Sequence, residues 1–289
     1  MPQNMFKKNN FIWLILKFLL IIIFINILSK FFGVNSVLAR KALDLVFYNT
    51  PIFLLLWHSI SFLSPKRALF FITLAALAGW LLEVYGLRGG TFFGGHYVYH
   101  MGGVSIFDVP LLVVCYWAVF IYTGYCITNS FLYWLNKNKP QKKKKTKKNL
   151  KNFWQVPLLV LLDGWIVVAI DLFMDPLQVE SGSWSWPAGG PYFGVPVGNF
   201  TGWFLVVVLV TGIFRIFEYF FPKKVSEDDR SFFIIPVLGY GALAISFAID
   251  ALKYEMVPLA IIGSLFMQSI VGLNVILFWR WRAKRPVKK

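Results

Sequence analysis

Apolar residues run almost unbroken through long stretches of the chain, and polar residues collect in the short gaps between them. An α-helix needs about 20 apolar residues to cross a bilayer. On that measure the pattern predicts spanning helices at roughly 11–32, 43–63, 67–88, 108–134, 153–174, 199–221, 232–253 and 257–281. Several starts are marked by Val-Pro pairs, at Val109-Pro110, Val156-Pro157, Val195-Pro196 and Val257-Pro258. Proline suits a first helical turn, where its missing N–H costs nothing. The expected fold is all-α, a polytopic membrane helix bundle of about eight transmembrane helices. Two gaps echo one another: "GGTFFGG" begins at Gly89 and "GGPYFGV" at Gly189. Each joins an outward-going helix to an inward-going one, so the two hairpins are expected to run parallel, with the glycine/aromatic loops re-entrant or capping on the outer face.

Composition agrees with a membrane solvent, since 58% of residues are hydrophobic and the mean hydropathy is +0.65. The net charge of +16 would suit nucleic acid, but its placement argues for the positive-inside rule instead. Lys and Arg gather in "NKNKPQKKKKTKKNLK" (136–151), in "PKKVSEDDR" and in the tail "RWRAKRPVKK", whereas loops 89–107 and 175–198 contain neither. Both termini and the lysine-rich loop are therefore expected in the cytoplasm and the two glycine loops outside, in a multi-pass protein of the cell membrane that meets lipid and not nucleic acid. Arg40-Lys41 is the one misfit. The lysine run reads as a solvated linker, or as a binder of anionic lipid. The first apolar run ends near a signal-peptide-like "VLA" at Ala39, but its length favours a retained anchor.

Acidic residues are scarce, and seven of the thirteen (Glu83, Asp108, Asp171, Asp175, Glu180, Asp250 and Glu255) fall at or near the outer helix ends. An ionisable group in or beside hydrocarbon is a functional candidate by default, with Asp163 and Asp171 the deepest on their helix. Blander roles stand beside this one. Asp108 can cap the helix that follows it, Asp250 can pair with Lys253, Asp175 before Pro176 can start a turn, and Glu218 can pair with Arg215 three residues away.

Tyr97, Tyr99, Trp184, Trp186, Tyr192 and Phe193 add aromatic faces to the same side, either as an interfacial belt or as the walls of a site. His96 and His100 have metal-binding spacing if helical, but they sit between glycine pairs, so no metal is expected. Cys115 and Cys126 are too far apart along one helix to bond to each other.

The segments "EVYGLRGGTFFGGHYVY…DVPLLVVCYW" (83–117) and "DLFMDPLQVESGSWSWPAGGPYFGVPVGNFTGW" (171–203) resemble the two signature regions of a membrane carotenoid-biosynthesis family. That family includes carotenoid 1,2-hydratases of the bacterioruberin and gamma-carotene type. The second segment is the more specific, with Asp-x3-Asp-Pro, spaced tryptophans, Gly-Val-Pro and Asn-Phe-x-Gly-Trp in order. The resemblance divides the chain into a two-helix extension (1–66), a first family hairpin (67–135), a basic linker (136–152) and a second hairpin with the C-terminal helices (153–289), all in one membrane domain.

What the resemblance implies is acid-catalysed addition of water to a terminal C=C of a linear or monocyclic carotenoid. Such a reaction needs a carboxylic acid that keeps its proton, which burial favours, and π faces or carboxylates beside the resulting cation. It needs no cofactor. Asp171 and Glu83 are the candidate principal catalytic carboxyls, with Asp175 and Asp108 supporting them. Tyr97, Tyr99, Trp184, Trp186, Tyr192 and Phe193, with Asn199 and Trp203 of the last motif, are the candidate substrate-binding residues. The implied partners are the polyene and water, and other carotenoid enzymes if the chain is an assembly partner. The rivals are that non-catalytic partner and a transporter of a small molecule or lipid, although parallel hairpins with loops at one face suit a transporter poorly.

Overall fold

A computed structural model describes residues 37–135, 153–223 and 233–283, together with scattered helical positions between Leu14 and Ser29. Among these residues seven helices are long and apolar enough to cross a membrane. They are α1 (Val37–Leu63), α2 (Pro65–Gly89), α3 (Leu111–Leu135), α4 (Gln155–Glu180), α5 (Val197–Phe220), α6 (Ile234–Lys253) and α7 (Val257–Ala283). Most of the expected first helix, 11–32, and the basic linker lie outside the described residues. The chain is thus a multi-pass helical bundle whose lipid-facing surface carries residues such as Phe53, Leu69, Trp165 and Leu265. Large apolar side chains stay exposed there because lipid tails are as apolar as they are.

One boundary differs in an instructive way. The Asp175-Pro176 step, expected to end its helix, lies inside α4, which continues to Glu180. Proline removes a single backbone bond, a loss that packed neighbouring helices can absorb in a membrane. Asp171 and Asp175 therefore share one helical face, four residues apart.

Four two-residue strands occur in the two glycine loops: β1 (Val98–Tyr99), β2 (Ser105–Ile106), β3 (Val109–Pro110) and β4 (Trp184–Ser185). β1 pairs antiparallel with β4, setting Val98 opposite Ser185 and Tyr99 opposite Trp184. The α2–α3 and α4–α5 hairpins consequently run parallel, with both loops at the same end. At Gly94, where φ is +79°, the first loop passes so close to the second that a Cβ on Gly198 would sit 2.5 Å from the Gly94 Cα. Only glycines allow that approach.

At the opposite end Arg67 donates to the Phe221 carbonyl and Lys223 to the Phe62 carbonyl, tying the α1–α2 junction to the end of α5. Between the two ends a buried ion pair joins α4 to α5. The Arg215 guanidinium grips Asp163 with two bonds, Nε to Oδ2 at 2.6 Å and Nη2 to Oδ1 at 2.7 Å. Its Nη1 donates to Asn129 Oδ1 on α3, and its carbon lies 4.7 Å from the Tyr125 ring centre. The Arg215–Glu218 pair expected from spacing gives way to this arrangement. A planar fork is better matched by a carboxylate facing it from another helix than by a neighbour one turn away. Glu218 instead accepts the Tyr125 hydroxyl, 2.8 Å from each of its oxygens.

Candidate active site beneath the paired loops

Glu83 lies near the loop end of α2, only 3% exposed. A carboxylate taken out of water must be fully hydrogen-bonded to be tolerated, and the loops supply what it needs. Tyr97 and Tyr99 alternate along an extended segment, so their side chains share one face. Both hydroxyls donate to Glu83 Oε2, at 2.6 and 2.7 Å. From α3, Trp117 Nε1 donates to Oε1 at 3.0 Å, and its ring is seated by Gly79, where a Cβ would fall 2.3 Å from the Trp117 Cγ. Burial first, and then the Glu83 charge, pushes the Tyr97 and Tyr99 hydroxyls above the ordinary tyrosine range. They stay protonated as donors throughout the physiological range.

The second carboxylate group is built differently. Asp171 and Asp175 on α4 are bridged by Asn199, whose Nδ2 donates to Asp171 Oδ2 at 3.0 Å and to Asp175 Oδ2 at 2.6 Å. Asn199 stands in the first turn of α5, directly after Gly198, so the glycine contact between the loops fixes its position. The Oδ1 atoms of both aspartates are buried and have no partner in the protein. Buried unsatisfied oxygens of this kind call for an explanation. A proton shared within the pair, or a water or substrate in the adjoining space, supplies one.

That space is a cavity of about 210 Å³. Glu83, Asp175 and Asn199 line it together with Tyr97, Tyr99, Trp184, Trp186 and Trp203. The aromatic wall is held by its own contacts. Trp203 stacks on Trp117 with centroids 4.0 Å apart, Trp184 meets Tyr99 edge-on at 5.7 Å, and Trp186 packs on Tyr97 at 5.7 Å while donating to the Phe93 carbonyl.

Three residues singled out in the sequence lie elsewhere, and Asp171 is set back. Asp108 is exposed in the tight β2–β3 turn, where Phe107 and Asp108 have φ of 52° and 67°. It neither caps α3, which begins after β3, nor joins the carboxylates. Asp is among the residues that tolerate a left-handed turn position, and that requirement explains it. Tyr192 and Phe193 pack on each other away from the cavity. The Tyr192 hydroxyl is buried without a partner, and burial with the Asp171 charge pushes it up to about 12. Asp171 sits behind Asp175 and does not line the cavity.

Conversely, Trp117, Met174, Gln178 and Ser183 belong to the site without having been singled out. An indole in a helix interior needs an acceptor for its N–H, and that requirement was the available signal for Trp117. His100 binds the second loop, its backbone N–H donating to the Ser183 carbonyl and its Nε2 lying 3.0 Å from Ser185 Oγ. Among the described residues no three His, Cys, Asp or Glu side chains gather as metal ligands.

No curated protein and no solved structure matches the chain. A family model described as "Carotenoid biosynthesis protein" matches residues 34–270, taking in α1 as well as both loop-bearing hairpins. With most of its length inside that match, the chain belongs to the carotenoid biosynthesis protein family.

Proposed function

We propose that the protein is a carotenoid hydratase, adding water across the terminal C=C of a linear or monocyclic carotenoid. The observation that carries this reading is Asp175: a buried carboxyl with one unpartnered oxygen, set in the wall of an aromatic cavity. In the proposed reaction Asp175 gives a proton to one alkene carbon, and the π pair forms the new C–H bond. The tertiary cation left on the neighbouring carbon lies against the faces of Trp203, Trp184 and Trp186. Cation–π contacts contribute on the order of 0.5–2 kcal/mol each. A water lone pair then forms the C–O bond, and its surplus proton returns to the Asp171–Asp175 pair, so that H and OH are added and the pair is restored. Glu83, held by three donors, provides the fixed negative charge opposite. Asp171 acts as a reserve behind Asp175, a division of labour that places Asp175 ahead of Asp171 at the reacting carbon. The reaction itself calls for no cofactor.

Expression in cells that accumulate an acyclic carotenoid tests this reading. The expected pigment is heavier by one water per reacted end, whereas an assembly partner or a transporter leaves the mass unchanged.

In the proposed orientation the loops face outward and the C-terminus is cytoplasmic, because Lys66, Arg67 and Lys223 lie at the end away from the loops and Arg280 and Arg282 at the end of α7; the spanning helix expected at 11–32 brings the N-terminus to the same side. Impermeant thiol reagent applied outside is expected to label Ser183→Cys and spare Lys144→Cys. The reverse pattern would invert the orientation.

A further inference from the structure

We infer that an apolar groove between α1, α3 and α6 is the binding channel for the unreacted length of the hydrophobic chain, continuing the carboxylate cavity into the membrane. This inference rests on the polyene substrate proposed above. A second cavity, of about 140 Å³, lies against α1, α3 and α6, with Ile22 of the N-terminal segment and Ile170 of α4 also on its wall, and Tyr116 and Phe120 of α3 belong to the linings of both cavities. The two spaces therefore border the same turn of α3. Along α1 the groove runs from Phe47 to His58, about 16 Å at 1.5 Å per residue. That is roughly half the ~30 Å hydrocarbon core, a length that suits an extended chain and far exceeds what water or a small polar solute needs.

The groove's chemistry points the same way. Its wall does contain polar side chains, but their polar atoms are turned onto the protein. Tyr116 donates to the Tyr48 carbonyl, Thr50 to the Val46 carbonyl and Tyr240 to the Ile166 carbonyl, while His58 Nδ1 and the Tyr122 hydroxyl lie 2.8 Å apart. Apart from Thr123, what remains facing the space is aliphatic and aromatic, and among the described lining residues there is no acid to pair a cation and no Lys or Arg to pair an anion. On α6, Gly239 lines the groove, and a Cβ built there meets nothing within 4 Å. A helix-interior glycine costs stability relative to alanine. Gly239 is exposed on the groove wall, so a larger side chain there would fill the groove without displacing protein atoms.

Gly239→Phe projects a ring into that space, and Leu54→Trp does the same from α1. The purified proteins in lipid would be assayed for hydration of lycopene and of geranylacetone, which shares the isopropylidene end but stops short of the groove. Binding of lycopene would be followed in parallel by quenching of tryptophan fluorescence. The channel is supported if either variant lowers the lycopene-to-geranylacetone rate ratio tenfold or more. It is overturned if both folded variants keep the wild-type ratio. If the wild type hydrates neither compound, the hydratase reading fails on its own and the groove is judged by binding alone. A tenfold weaker lycopene affinity in Gly239→Phe or Leu54→Trp then sustains it, and unchanged affinity in both removes it.

Discussion

Asp175→Asn is expected to lower the hydration rate by about 10²–10⁴-fold, the range that a positioned general acid contributes. The side chain keeps its size and can still take part in the hydrogen bonding around Asn199, so the protein should remain folded. What is lost is a carboxylic proton at the cavity wall. Glu83→Gln is expected to reduce the rate as well, for another reason. The amide cannot offer the same negative charge to a cation, and its NH2 would face the hydroxyls of Tyr97 and Tyr99, both of which now donate to Oε2. Asp171→Asn should act only through Asp175, because Asp171 does not reach the cavity. Single-turnover assays in lipid check the order Asp175 over Asp171, while Asp228→Asn, in the charged stretch "PKKVSEDDR" between α5 and α6, should match the wild type. Full activity in both Asp175→Asn and Glu83→Gln would remove acid catalysis from the account.

The second large effect is on stability. Arg215→Met leaves Asp163 buried with an uncompensated charge, and breaking a buried pair in this way costs about 3–5 kcal/mol. The loss should be severe here, because the same guanidinium also holds Asn129 and rests on Tyr125, linking α3, α4 and α5. Replacing both partners, as in Asp163→Leu with Arg215→Met, should recover much of the loss, since no charge is then stranded. Detergent-solubilised unfolding of the two single variants and the double variant measures this. A double variant no more stable than the worse single one would contradict the reading.

The bundle was largely legible in the chain because the length of an apolar run is dictated by the thickness of the bilayer. The seven helices begin and end within a few residues of their hydrophobic runs, apart from the start of α1 and the end of α4. Asp175-Pro176 misled because proline ends helices in water more reliably than in a packed membrane bundle. The two loops were legible as an echo, since glycine pairs with aromatics are rare enough to notice. Their pairing through β1 and β4 was not, because a two-residue strand has too short an alternation to stand out. Within the site, the alternation of Tyr97 and Tyr99 could have pointed to a shared target. Trp117 could not be picked out by periodicity, because α3 is apolar on nearly every side and so has no face to read. The Asp163–Arg215 pair illustrates a third limit. Spacing along one helix suggests local partners, while partners on other helices depend on how those helices pack.

The central claim is tested most directly by incubating the purified protein, reconstituted in lipid, with lycopene in water enriched in heavy oxygen. The account predicts a product carrying one heavy oxygen on the tertiary carbon of each reacted end, formed by the wild type and almost absent with Asp175→Asn. Lycopene recovered unchanged from wild-type protein that demonstrably binds it would contradict the account.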